Sequence, residues 1–216
     1  MIQYRPSALE AITTGITSGR SGKGAIYVVA SGNGYRFGDD VNFGGLTNSR
    51  FTISVGSVGK NRQHASFSTP GSALFVAAPG GDSEDVTRIV TTAYGTGGCT
   101  ESGTGTSFSS PIVSGVIALM LQANPDLSWR DVQNIIARTS TSVQDDPDDD
   151  TDQVNGAGLW HSNFYGFGIV NADRAVRMAM SDTYDLVDPE SMILVESETN
   201  IDLPINDKGG ETTTTQ

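Results

Sequence analysis

The sequence predicts an α/β domain with helices packed on a parallel sheet. Three observations point there. A helix-forming stretch, Ser7 to Ile16, passes through Gly19, Gly22 and Gly24 into a short continuous apolar run, Ala25 to Ala30. Helix, loop and doubly buried strand make half of a crossover unit, which joins parallel strands. A second apolar run, Ile112 to Leu121, holds Ala and Gly and no charge; it reads as a helix buried on all sides. Third, Leu127 to Thr139 carries the start signals of an amphipathic helix.

Each element has a local reason. Ser7-Ala8-Leu9-Glu10 matches a capping box and opens the first helix. The strand to Ala30 ends in Ser31-Gly32-Asn33-Gly34, and a loop rich in Gly, Asn and Asp runs from Gly34 to Thr47. Phe51 to Val58 is dense in β-formers and predicts a strand. Ala65 to Ser68 and Leu74 to Ala78 are short strand candidates, with turns at Pro70-Gly71 and Pro79-Gly80-Gly81. Ile89 to Tyr94 is another strand. Ser128 and Asp131 fit N-cap and N3 of a capping box, and Leu127 and Val132 fit the flanking hydrophobic staple. Tyr165 to Val170 reads as strand or turn, and Asn171 as the cap of a last helix from Ala172 to Ser181. Beyond Asp182 the chain turns acidic and Thr-rich. No internal repeats are seen.

Composition bounds the function. The 216 residues suit one sizeable domain. A formal charge of −12 disfavours a nucleic-acid partner, since phosphate neutralisation needs Lys and Arg. No run reads as long and apolar enough to span a membrane, and Met1 to Pro6 has no signal-peptide core. The single Cys99 does not define a redox compartment. Asp145 to Asp152 is an acidic run interrupted by Pro147. It reads as a calcium site or as a solvated loop, and the glycine-hinged EF-hand spacing is missing.

Two stretches carry chemistry. Gly103 to Pro111 crowds small and hydroxyl residues at the mouth of the apolar helix. Ser107 would sit beside unpaired N–H groups and the positive end of the dipole, a setting that favours a developing anion. It reads equally as a Ser/Thr-rich cap. Asn33 lies between glycines at the carboxyl end of a strand, where ligands bind in open α/β sheets. Alone it is a turn residue tolerant of positive φ.

Together, Ala30-Ser31-Gly32-Asn33-Gly34 and Gly105-Thr106-Ser107 with Pro111 resemble the subtilisin-like serine proteases, and more narrowly their kexin and furin branch. Gly45-Leu46-Thr47-Asn48-Ser49, Cys99-Thr100-Glu101-Ser102, Leu127 to Gln133 and Tyr165-Gly166-Phe167-Gly168 also look like that branch, so the resemblance runs from about Ser7 to Met180. Ser109 stands where an α/β-hydrolase elbow has its last glycine, against that competing family.

The resemblance implies a three-layer subtilisin-like fold and a serine endopeptidase acting on polypeptides through an acyl-enzyme. It implies Ser107 as nucleophile and Asn33 as the oxyanion side chain. Ala30, Ser31, Gly32 and Thr106 would border the substrate. It implies a structural Ca2+ held in part by Asp39, with Thr69 where the second ligand is usually Glu. Gly44 falls where a carboxylate normally meets basic substrate residues, so that preference is in doubt. Cys99 would pair with an upstream cysteine; Glu101 has no assigned role. The family implies the secretory pathway. Residues 1–182 would be the C-terminal part of the peptidase domain, and residues 183–216 a linker and the start of a β-rich P domain.

The family's Asp and His precede its Asn, yet the 32 residues before Asn33 contain neither. His64 and His161 follow it and read as surface or loop histidines. The sequence therefore reads as an incomplete catalytic domain, inactive alone; the alternative is a non-catalytic remnant or interaction protein. Half a parallel sheet with an unpaired edge also predicts a poorly soluble or molten chain.

Overall fold

The computed structural model describes residues 6–84, 88–95, 97–144, 146–147 and 149–186. Three parallel strands form its centre: β1 (Tyr27–Ala30), β2 (Thr52–Val58) and β3 (Val76–Pro79), in the order β1-β2-β3. Tyr27 faces Thr52, and Val55 faces both Ala30 and Val76. The helices are α1 (Pro6–Ser18), α2 (Thr106–Ala123), α3 (Trp129–Thr139) and α4 (Ala172–Ala179). A hairpin, β4 (Ile89–Thr92) with β5 (Cys99–Gly103), leads into α2, and a two-residue pair, β6 (Gln153–Val154) with β7 (Trp160–His161), lies nearer the C-terminus.

Strand alternation builds the core. Val76 and Ala78 join Ile53, Val55, Val113, Met120, Val132 and Ile135 in one cluster under α2, α3 and α4. Ala77 points the other way, into Val58, Tyr165 and Ile169. Ile12 and Ile16 pack α1 on Trp129. The α3 capping box forms as the sequence predicts: Ser128 Oγ accepts from Asp131 N at 3.2 Å, and Asp131 accepts from Ser128 N at 2.8 Å. Asn171 likewise caps α4 by accepting from Arg174 N at 3.0 Å.

Several expectations change. α1 begins at Pro6, so Ser7 lies inside its first turn and not at a cap. Proline suits that position because the missing N–H would have no partner there. β2 is buried throughout, but β1 is only half-buried, because no strand among the described residues lies along its outer edge. α2 is not buried on all sides: Ile112 is 37% and Leu119 50% exposed. By length and composition alone α2 is also apolar enough to cross a membrane, although Val113, Ile117 and Met120 pack into the core.

Ala65 to Ser68 is a turn, closed by Ser68 N on Ala65 O at 2.8 Å. The β5 partner of the predicted strand at Ile89 was not expected; its Cys-Thr-Glu-Ser sequence carries little strand signal. Tyr165 to Val170 is an irregular cover on β3, with Ala77 N donating to Gly168 O and Val170 N to Ala77 O, each at 2.9 Å. The acidic run is no merely solvated loop. Asp146 accepts from the Tyr165 hydroxyl, Asp149 from Ser162 Oγ and Thr151, and Asp152 from Trp160 Nε1 at 3.0 Å. These carboxylates staple the loop to the segment that covers β3. The expected start of a P domain lies, from residue 187 on, outside the described residues.

Candidate active site

β1 ends at Ala30 and delivers Ser31 to Gly34 to the carboxyl edge of the sheet, facing the N-terminus of α2. The turn into α2 is tied to the neighbouring strand ends. Gly105 N donates to Gly80 O at 2.9 Å, and Gly80 N to Val58 O at 3.2 Å. A side chain at Gly80 has no room: its Cβ would lie 2.2 Å from Ser109 Oγ and 2.3 Å from Ser57 Oγ. Gly105 caps α2 at φ 136° and ψ 157°, a backbone region that glycine alone adopts without strain. Gly105 has no side chain to cap the helix; the first N–H, that of Thr106, is instead capped from outside by Asn33.

Thr106 locks the two stretches together. Its N–H and its hydroxyl both donate to Asn33 Oδ1, each at 3.0 Å, and the hydroxyl accepts from Gly32 N at 3.3 Å. Two donors on one oxygen settle which end of the carboxamide is oxygen. They also leave both Asn33 Nδ2 hydrogens for another acceptor. Thr106 itself is buried, while Asn33 and the adjacent Ser107 are exposed. The structure thus brings Asn33 and Ser107 to one place, an exposed amide donor beside a hydroxyl on the first turn of a helix. The role of Thr106 in orienting Asn33 was not legible in the sequence; a hydroxyl flanking Ser107 was the one signal.

Ala30 and Gly32 are half-buried, and Ser31 is buried, with no hydrogen-bond partner for its Oγ among the described residues. Gly44 leaves no vacancy for a carboxylate, since a Cβ there would come 2.5 Å from Thr47 Oγ1. That hydroxyl is committed to Val41 O at 2.6 Å.

The histidines are less exposed than the sequence suggests, and both are engaged elsewhere. His64 Nε2 faces Ser68 O at 2.9 Å, and its ring meets Tyr35 and Phe164 edge-on. His161, in β7, has Nε2 on Leu74 O at 3.1 Å. A ring nitrogen facing a carbonyl carries its proton. Burial lowers the pKa of both rings despite the partial opposition of those carbonyls. Each is a neutral donor to the main chain.

Asp39 is exposed and accepts from Asp40 N at 3.0 Å. It lies beside Gly32 and Gly34, and Thr69 Oγ1 accepts from Gly34 N at 2.9 Å. One carboxylate and one engaged hydroxyl do not fit calcium, which takes six to eight oxygens and draws affinity from several carboxylates. No group of three His, Cys, Asp or Glu side chains suited to a metal occurs among the described residues. A calcium ion at Asp39 would need most of its ligands from elsewhere. Cys99 is a free, exposed thiol on β5.

Comparison with known proteins bears on the family and the fold. Residues 3–168 match the subtilase family. Human proprotein convertase subtilisin/kexin type 7 is 40% identical over 173 residues, covering 78% of this chain and 22% of the relative. The protease KEX1 of Kluyveromyces lactis is 41% identical over 172 residues, covering 80% and 22%. Furin-1 of Xenopus laevis is 38% identical over 189 residues, covering 88% and 24%. The chain thus spans about a quarter or less of the length of these relatives. The crystal structure of a serine protease of Aeromonas sobria superposes with a TM-score of 0.75 at 22% identity, over 88% of this chain and 43% of that one. That likeness speaks to the fold.

Proposed function

The chain belongs to the subtilase family, and from that premise we propose that it supplies the nucleophile and oxyanion half of a serine endopeptidase site. One observation carries the reading: Thr106 donates twice to Asn33 Oδ1, which turns the amide hydrogens outward next to Ser107.

The chemistry follows from that arrangement. A general base takes the proton of Ser107 Oγ as the oxygen attacks a peptide carbonyl. The carbonyl oxygen becomes an anion and accepts from Asn33 Nδ2 and Ser107 N. Collapse expels the amine, which receives the proton from the base, and leaves an ester on Ser107 that water hydrolyses. Ala30 to Gly32, at the end of β1, would flank the substrate chain.

On this reading the base comes from outside the described residues, because among them no hydrogen bond joins Ser107 to His64 or His161, whose Nε2 atoms face Ser68 O and Leu74 O. By itself, then, the chain does not hydrolyse peptides. Preference for a basic residue does not arise at position 44, where Thr47 fills the space. Calcium, general among subtilases, is assigned neither to Asp39 nor to Thr69. The proprotein convertase relatives favour a secretory route for this protein.

Two measurements test this. A fluorophosphonate probe should leave Ser107 of the isolated chain unlabelled; stoichiometric labelling would show that a base is present after all. Residues 7–180, exchanged for the matching stretch of a proprotein convertase, should yield a working peptidase that Ser107→Ala silences. Asn33→Ala should cost that chimera about 100- to 1,000-fold in kcat, the range seen for one oxyanion donor in subtilisin, a relative. A chimera indifferent to both changes would end the hydrolase reading.

A further inference from the structure

A second site lies away from Ser107 and does not depend on the peptidase reading. Between α3 and α4 is a cleft of ≈ 660 Å³ whose rim carries Arg138, Arg174 and Arg177. The whole chain has 13 Lys and Arg against 25 Asp and Glu, so three guanidinium groups on one cleft oppose the general charge. Arg138 and Arg177 bond through Nε only, to Asn134 Oδ1 and Asp173 Oδ1, each at 2.8 Å. Both residues are exposed, and their terminal nitrogens have no hydrogen-bond partner among the described residues. Arg174 is exposed and has no ion-pair partner among the described residues. The floor is apolar and fixed: Met178 and the ring of Tyr184, whose hydroxyl bonds Asn134 and Asp131 at 3.1 Å each.

Cations around an apolar floor match a peptide whose carboxylates flank an apolar centre. This chain contains one. Asp188, Glu190, Glu196 and Glu198 bracket Met192-Ile193-Leu194-Val195, with no Lys or Arg between 188 and 198. It also starts at the right place. Thr183 to Asp185 form part of the cleft wall, and Asp188 follows three residues later, within about 10 Å of extended chain. A tethered ligand enjoys a millimolar effective concentration, so individually weak exposed ion pairs suffice to hold it.

We propose that the α3–α4 cleft is the docking site for this chain's own acidic segment, residues 188–198, with Arg138, Arg174 and Arg177 binding its carboxylates. The segment leaving the last helix would be stowed against the domain.

Glutamate-specific proteolysis of the full chain at low ionic strength reads this directly, by the rate of cleavage after Glu190, Glu196 and Glu198. The variant carrying Arg138→Gln, Arg174→Gln and Arg177→Gln should be cut about fivefold faster or more, and about 0.5 M salt should speed the unmodified chain alike. Arg50→Gln, remote from the cleft, should change nothing. Should the triple variant lose helix content, Asp188→Lys makes the same test from the ligand side, with faster cleavage after Glu196. Added free peptide 188–198 should also accelerate cleavage. Equal rates in the unmodified chain and the arginine or Asp188 variants overturn the proposal. So does a scrambled peptide of the same composition that competes equally well.

Discussion

α2 and α3 pack into the same core, yet their ends are closed in different ways and they bury different shares of their surface. α3 buries Val132, Ile135 and Ile136 completely and turns its polar side outward. Its N-terminus is closed by the Ser128–Asp131 box, and Tyr184 adds a third bond to Asp131. α2 is apolar nearly all round, leaves Ile112 and Leu119 in the open, and has a bare glycine for a cap. The contrast separates two uses of a helix. α3 spends its terminal groups on its own stability. α2 has its first N–H committed to Asn33 at the end of β1, and leaves part of its outer face exposed. In a serine hydrolase the helix N-terminus beside the nucleophile is where the oxyanion forms.

The sharpest way to break this contrast is to truncate one apolar side chain on each helix. Ile135→Ala should lower stability by about 2–5 kcal/mol, because the site is fully enclosed and cannot collapse without loss. Leu119→Ala should stay within about 0.5 kcal/mol in the isolated chain. Urea midpoints decide it. Comparable losses would mean that the outer face of α2 is covered after all, for instance by self-association.

Next in size are the caps. Gly105→Ala forces a side chain onto a backbone at φ 136° and should cost about 1–3 kcal/mol. Its Cβ would also press toward Asn33 Nδ2, 3.4 Å away. Ser128→Ala should cost about 1 kcal/mol from a lost cap. In the chimera described above, Gly105→Ala should also lower kcat, whereas Ser128→Ala should move the thermal midpoint only. A kcat effect from Ser128→Ala would dissolve the distinction between a structural and a functional helix end.

The smallest effect is in pH. Burial, reinforced by Asp131, pushes the Tyr184 hydroxyl up to about 12. A phenol held protonated in the fold gives stability that is whole below its unfolded value of about 10 and is lost as pH rises from there toward 12. Thermal midpoints should therefore fall on the alkaline side, and Tyr184→Phe should flatten that limb. The α2 junction is built from Asn33, Gly105, Thr106 and Ser107, none of which titrates across this range. A limb as steep in Tyr184→Phe as in the unmodified chain would remove the hydroxyl from the account of α3.

Legibility followed the range of the interactions. The α3 box was readable because its partners are three residues apart and compete only with water. The helix-loop-strand entry was readable for the same reason, although Pro6 displaced Ser7 from the cap. The acidic run was misleading. Asp146, Asp149 and Asp152 look like a solvated stretch until Tyr165, Ser162 and Trp160 fold back onto them. α2 misled in the opposite sense, since an apolar run says that a surface wants cover and not where the cover comes from.

The residue pattern alone determined the resemblance to subtilases and the parallel sheet, and singled out Ser107 and Asn33 as candidates, because these are written in short stretches whose chemistry is local. Only the folded chain decided that Thr106, 73 residues from Asn33, holds the amide oxygen and so frees its hydrogens. Only it decided that both histidines are committed to main-chain carbonyls and that Thr47 fills the space beside Gly44. Those are contacts between distant parts of the chain, and no spacing encodes them: they exist once packing has chosen which groups lose water and must find one another.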